Sequence, residues 1–467
     1  MVEQRKKKRA IAMAGGGPAA GFHIGALKAF EKHGISFDVW SLSCIGAWVG
    51  IYYHQSKGPG KADATYEFFE QHCFRDTTSY RGFPVNKAFA PNLQAFADGW
   101  LKHATNPRTY LDAFFSTGNE WGDVYAGWQR FLTNPRLWTR AGDLNVHVLN
   151  NIMAVHPFTR FLTSLIYTSG VNGLSNIYYP DSSLLDGLRI ANLDLVADKD
   201  VGRMDRAALE SLAHASLGRG FEPEREAVPE IYHNAWRFGT TNRGDGSGAL
   251  ELFNNKWLKY RHRTPKRDYL PISHASLCAC SALPYIEQTV AIPNDGNSEY
   301  SEGALVDTVS FRNLLEDHPD LDEIWVCRIV DYRQIRRPMN LHDSLGNLCQ
   351  QFAAEVGEND VRIFQSHLRK SAGRIPRIVE IPLEMAADDN QDSADSKGDD
   401  GKGRKEINYR WDRDNLANSF KAGQRAVNRL MAQDSSLKKA TTTSPPWPKP
   451  PVPIDAEGPA RRRRVAA

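Results

Sequence analysis

Apolar runs alternating with helical stripes organise the first part of the chain. Residues 9–14 form a short apolar run suited to a buried strand. After Gly15-Gly16-Gly17-Pro18-Ala19-Ala20-Gly21 the pattern turns helical, with Phe22, Gly25, Ala26, Ala29 and Phe30 on one face. Gly34 stands where a C-cap glycine belongs. Residues 39–43 are a second apolar run, and a helix is predicted from there to about residue 54. This strand–helix–strand–helix order predicts an α/β fold, a three-layer sandwich whose mostly parallel central sheet is covered on both faces.

The joint between the second strand and second helix, Val39-Trp40-Ser41-Leu42-Ser43-Cys44-Ile45-Gly46-Ala47-Trp48, reads as a sharp elbow. Such a turn pushes its apex residue, here Cys44, out over the end of a sheet. Gly46 follows two residues on, where a side chain would collide with the tightening backbone. Leu42 stands where a small residue is expected.

The rest of the chain extends this frame. Residues 59–185 are aromatic-rich and mostly helical in pattern, with helices expected over 62–74, 93–103, around 121–131 and over 156–167. They read as a helical insertion or cap. Its aromatic stripes are core in the plain reading and a lining for acyl chains in the sharper one. Strands are expected over 189–196, 230–240, 324–330 and 377–382, and helices over 204–217, 271–284 and 341–370. The glycine-rich stretch 239–248 lacks the lysine and spacing of a phosphate-binding loop. An amphipathic helix over 415–431 turns Leu416, Phe420, Val427, Leu430 and Met431 to the core. The expected layout is a basic tail (1–8), one domain (9–386), a disordered linker (387–406), a C-terminal helix packing on the domain (407–433), and a disordered Pro/Arg-rich tail (434–467).

Composition narrows the function classes. A net charge of +3 on 467 residues gives no case for nucleic-acid binding. Basic residues cluster at 5–9 and 461–464, read as solvated tails or, more sharply, as contacts for an anionic surface. The six cysteines show neither a disulfide framework nor zinc-ligand spacing; Cys278-Ala279-Cys280 reads as buried packing, and reduced thiols fit a cytoplasmic protein. The N-terminus imitates a signal peptide, but its apolar stretch is short and runs into the glycine cluster. No apolar run approaches the roughly 18 residues of a spanning helix. Nothing in the sequence sets an oligomeric state.

Four segments in order, Gly15-Gly16-Gly17, residues 38–46, residues 276–284 and Glu302-Gly303-Ala304, resemble the patatin-like phospholipase family. The resemblance spans roughly residues 9–330, and the final strand and helix also fit. It implies a modified α/β-hydrolase fold and a lipid acyl hydrolase working with a nucleophile–carboxylate pair, with neither cofactor nor metal. Carried over, Gly15, Gly16 and Gly17 supply an oxyanion loop and Gly46 completes the elbow. Cys44 falls on the nucleophilic serine, Glu302 on the aspartate base, and Gly303 and Ala304 on the rest of the acidic turn. The departures are cysteine for serine, glutamate for aspartate, Leu42 for the elbow's first glycine, and Ala19 and Ala20 in the oxyanion loop. The implied substrate is a lipid or acyl ester, met in the cytoplasm or by peripheral contact with a membrane.

Other readings stay open here. A degenerate site would leave an acyl-binding protein on the same fold. His23 or His274 is an alternative base for Cys44. Gly15 to Ala20, between a strand and a helix, also looks like a flavoprotein dinucleotide fingerprint. That motif wants an acidic residue closing the second strand, whereas Asp38 precedes it.

Overall fold

The computed structural model describes residues 4–5, 7–56, 59–74, 89–115, 156–168, 170–178, 182–188, 203–217, 228–239, 248–261, 268–311, 314–335, 337–370, 375–383, 410–438 and 441–442, with scattered positions between 122 and 134. The expected elements at 189–196 and 387–406, and most of those at 121–131 and 239–248, lie outside these residues.

Strand β1 (Arg9–Met13) is buried on both faces: Ile11 and Met13 pack into one apolar cluster, Ala10 and Ala12 into the other. Helix α1 (Ala20–His33) follows a short turn and ends at Gly34, whose φ of 64° is the left-handed value a C-cap glycine supplies. Strand β2 (Val39–Leu42) leads into α2 (Ile45–Gln55), and α3 (Lys61–His72) packs on both α1 and α2. The aromatic-rich segment then gives β3 (Ala90–Pro91), α4 (Leu93–Thr105), α5 (Pro107–Phe115), α6 (Pro157–Thr168) and β4 (Gly173–Asn176).

Helix α7 (Arg206–Leu217) precedes β5 (Glu230–Arg237) and β6 (Ala249–Asn254). Helix α8 (His274–Ser281) is shorter than its small-residue run. A capping box of Ser273 and Ser276 fixes its start, and Pro284 holds the chain before it extended. Then come β7 (Tyr285–Glu287), β8 (Val290–Ile292), β9 (Ser298–Glu302), β10 (Glu323–Cys327), α9 (Leu341–Lys370), β11 (Arg377–Glu380) and α10 (Arg413–Gln433).

The main sheet runs β11-β10-β1-β2-β5-β9-β8, with β6 also on β5. The first five are mutually parallel; β9 and β6 lie antiparallel to β5, and β8 to β9. Helices cover both faces, as expected of a sheet whose central parallel strands are buried along their length. A second sheet of β3, β4 and β7 went unforeseen, because strands of two to four residues carry no readable alternation.

Two departures concern the ends of the chain. Arg9, read as part of a solvated basic run, is buried; its Nε donates to Glu323 at 2.8 Å and its Nη2 to the Leu437 carbonyl at 2.9 Å. Lys7 reaches the same carboxylate at 2.6 Å. Residues 4–5 pair with 441–442. Among the described residues, no helix is long and apolar enough to cross a membrane.

Candidate functional site

The site is set by an edge of β5. Residues 232–237 pair with β6 on one side, so β2, paired at 230–233, and β9, paired at 235–237, must share the other. These two strands run towards each other. Leu42 sits opposite His233 and Glu302 opposite Ala235, leaving Asn234 between their ends. Cys44 comes two residues after Leu42. The sheet register therefore delivers a thiol and a carboxyl to one place.

Cys44 adopts φ 48° and ψ −123°, a conformation costly for any side-chain-bearing residue and held by its neighbours. The Ser43 N–H donates to the Met13 carbonyl at 3.0 Å, Gly46 N–H to Ser43 at 2.9 Å, and Ala47 N–H to Cys44 at 2.9 Å. A Cβ on Gly46 would lie 2.5 Å from the Met13 oxygen, so the elbow needs glycine there. The bulk of Leu42 is accommodated from an unforeseen quarter. A Cβ on Gly50 would lie 2.6 Å from a Leu42 methyl, so a glycine on α2 clears the room that a small residue at 42 would leave.

The Glu302 carboxyl and the Cys44 side chain both lie against Gly15, whose added Cβ would be 3.7 Å from Glu302 Oε1 and 3.0 Å from the Cys44 Cβ. The Glu302 backbone is fixed by an N–H donated to Ala282 at 2.9 Å. Burial pushes Glu302 up to about 7, against the downward pull of the neighbouring Cys44 thiol. Burial, reinforced by the negative charge of Glu302, pushes the Cys44 thiol well above its usual range. Cys280, expected only to pack, accepts the Cys44 N–H on its sulfur at 3.0 Å.

The glycine loop closes on this pair. A Cβ on Gly15 would lie 2.9 Å from the Ala304 Cβ and 3.0 Å from the Cys44 Cβ. Gly16, at φ 147°, leaves no room beside Val330. No described residue accepts the N–H of Gly15 or Gly16. Gly17, at φ 63°, starts the turn into α1. Ala304 faces Gly15, and a Cβ on Gly303 would lie 2.8 Å from the Asn234 side-chain oxygen.

A narrow cavity, with about 80 Å³ of room for a water-sized sphere, opens over these groups. Cys44, Glu302 and all three glycines of the loop line it, with Trp48, Phe69, Phe89 and Ile177 as apolar walls. Residues far along the chain also contribute: Glu287, Cys349, Ala353 and Trp411. None was singled out from sequence, since a lone side chain on a short strand, within a long helix or just before one carries no pattern. His23 lies elsewhere, bonded to the Ala14 carbonyl at 2.9 Å and the Cys327 sulfur at 3.1 Å. Asp38 accepts the Arg9 N–H at 2.9 Å and so holds two strands together at the far end of the sheet. Among the described residues, no cluster could hold a metal ion.

A mostly parallel sheet sheathed in helices, with a glycine loop and a strained elbow meeting at its strand ends, defines a hydrolase-like class of α/β fold. The family model "Patatin-like phospholipase" matches residues 11–315, and the chain belongs to the patatin-like phospholipase family, a family of lipid acyl hydrolases. Among solved structures, it is similar to VipD from Legionella pneumophila at 12% identity and a TM-score of 0.33, over 92% of this chain and 67% of that one. No curated protein matches the chain.

The buried groups make stability depend on pH in a stated direction. Burial, first among the causes, holds Glu287 at about 8, and Glu302 and Asp360 at about 7. The folded chain keeps these protons where an unfolded one has lost them, so their contribution falls from about pH 4.5 upwards and is gone above pH 7 to 8. Burial also lowers His23 to about 4, and His54 and His233 to about 3. Their contribution is present above the ordinary 6.5 and is lost as pH falls below it. Between roughly pH 4.5 and 6.5 the two sets oppose each other. The expected melting profile has a broad maximum there and falls by several degrees towards pH 8. Scanning calorimetry showing a Tm that climbs steadily from pH 6 to 8 would contradict it.

Proposed function

We propose that the chain hydrolyses acyl esters of lipids, with Cys44 as nucleophile and Glu302 as its base. The observation that carries this reading is the placement of thiol and carboxyl together beside Gly15 at the floor of an apolar cavity. A carboxylate near its ordinary value is a weak base; one raised to about 7 is matched to proton transfer at neutral pH. In the first step Glu302 takes the thiol proton as sulfur bonds to the ester carbonyl carbon. The resulting oxyanion lies against the N–H groups of the glycine loop, which need no reorganisation to receive it. Collapse breaks the ester C–O bond, the alkoxide takes the proton from Glu302, and a thioester remains. Water, losing a proton to Glu302, then releases the acid, and the proton returns to sulfur.

The apolar walls support an acyl chain as the bound group. The reading has the protein cytoplasmic and meeting lipid peripherally, and exposed Leu101, Leu111 and Phe158 on the cap helices support such a contact. A second reading, acyl binding without turnover, draws on the elevated thiol, which keeps Cys44 protonated at rest.

Intact-mass spectrometry after exposure to p-nitrophenyl butyrate tests the proposal. One butyryl adduct is expected, mapping to Cys44 and absent from Cys44→Ala. Neither adduct nor hydrolysis would leave only the binding reading. The pH profile adds a second expectation. Because the base must be ionised, kcat/KM should rise through about pH 7, and Glu302→Gln should lose that limb with most of the activity. A profile flat from pH 6 to 8 would remove Glu302 from the role.

A further inference from the structure

The cavity holds a second carboxyl that the proposed chemistry does not use. Glu287 ends β7, across the small sheet from Ser175 of β4. It is only 2% exposed, yet it lines the same cavity as Cys44 and Glu302. Its Oε1 lies 2.7 Å from Ser175 Oγ, which in turn lies 2.8 Å from the Ile286 carbonyl oxygen. A serine hydroxyl has one proton to give. When it donates to Ile286, the oxygen of Glu287 must donate to it, which a protonated carboxyl does. Burial favours that form, holding Glu287 at about 8 against the pull of Ser175 and the Ile177 N–H, with Glu302 nearby adding to the rise. The other oxygen, Oε2, is buried with no hydrogen-bond partner among the described residues. Such an atom calls for an explanation, and beside a cavity a bound group supplies one.

The rest of the cavity restricts what that something is. Its described lining contains no lysine, arginine or histidine; the ionisable oxygens are those of Glu287 and Glu302. A phosphate placed here would meet two carboxyls and no cation, with its own charge taken out of water. A hydroxyl carries no such penalty, and it can donate to Oε2, which the proton on Oε1 leaves as an acceptor.

We propose that Glu287 is a specificity-determining residue: through Oε2 it hydrogen-bonds an uncharged polar group of the substrate, of the glycerol-hydroxyl kind, and so selects neutral acyl esters over those carrying a phosphate at that place. The assignment rests on reading the cavity as the acyl-ester site, and its test reads binding rather than turnover. The full-length protein is titrated with 1-O-octylglycerol and with octyl phosphate, neither of which is an ester of a carboxylic acid, following the fluorescence of Trp48 and Trp411 in the cavity wall. The wild type is expected to bind octylglycerol at least about tenfold more tightly than octyl phosphate. Glu287→Leu should lose about tenfold in octylglycerol affinity, while Glu287→Gln, whose amide both donates and accepts, should stay within about threefold of the wild type. Ser175 keeps the Ile286 carbonyl as a partner in the leucine variant, so the fold has no new orphan there. Equal affinity for the two ligands, unchanged octylglycerol binding by Glu287→Leu, or binding of neither ligand overturns the proposal. Failure of the hydrolase reading alone would look different: no Cys44 adduct, with octylglycerol binding intact.

Discussion

Cys44→Ala is expected to lower kcat/KM for p-nitrophenyl butyrate by at least about 10³-fold, while the melting temperature stays close to that of the wild type. Removing a nucleophile leaves only binding and the oxyanion donors, and losses of about 10³ to 10⁶ are usual for such a group. The substitution is structurally mild. Alanine keeps the backbone N–H that Cys280 accepts at 3.0 Å, and it bears the same strained φ of 48° that cysteine does. Glu302 loses its thiol neighbour but still faces the cavity, where water can take the thiol's place. A large rate loss with an intact fold therefore reports chemistry. Retention of a tenth or more of the activity would remove Cys44 from the nucleophile's role, and the carboxyl pair of the cavity would need another explanation.

The elbow was legible because its signal is local. An apolar strand, a small-residue turn and a helix sit within one short stretch, and Cys44 occupies the apex that the pattern predicts. That Glu302 is its neighbour was legible only through the family resemblance; the physical reason lies in the register of β5, which pairs with both β2 and β9 along one edge. Leu42 looked like an obstacle from sequence, and its answer lay on the next helix, at Gly50. Glu287 was silent for a different reason. A carboxyl on a short strand reads as a solvated face, and only the tertiary fold shows that it is buried across from Ser175. Trp411 and Cys349 reach the cavity from segments past residue 315, where the family match ends.

Gly25 shows the same limit at the level of the fold, and Gly25→Val is the substitution expected to destabilise the chain most. From sequence it is one small residue on the apolar face of α1. In the structure a Cβ at that position runs into the Phe420 carbonyl of α10, some four hundred residues away in the chain, and backbone atoms cannot swing aside as a flexible side chain can. Gly21 meets the Leu416 carbonyl in the same way, and Gly423 meets that of Phe22 from the opposite side, so the two helices touch backbone to backbone along their length. A valine would force α10 outwards. That exposes Leu416, Ala422 and Ala426, all fully buried, and strains the bond from the Asn415 side chain to the Pro18 carbonyl next to the glycine loop. Overpacking of a tight core costs about 1–3 kcal/mol where side chains can adjust, and backbone contact puts this site at or above the upper end of that range. Because Trp411, just before α10, is part of the cavity wall, activity should fall along with stability. Lys28→Ala on the exposed side of the same helix is the control, losing only a partly exposed pair with Asp63 and shifting stability by no more than about 0.5 kcal/mol. Denaturant titration of the two variants decides the matter. If Gly25→Val unfolds within about 1 kcal/mol of the wild type, then α10 is not seated against α1 as described, and the cavity loses the wall that Trp411 provides.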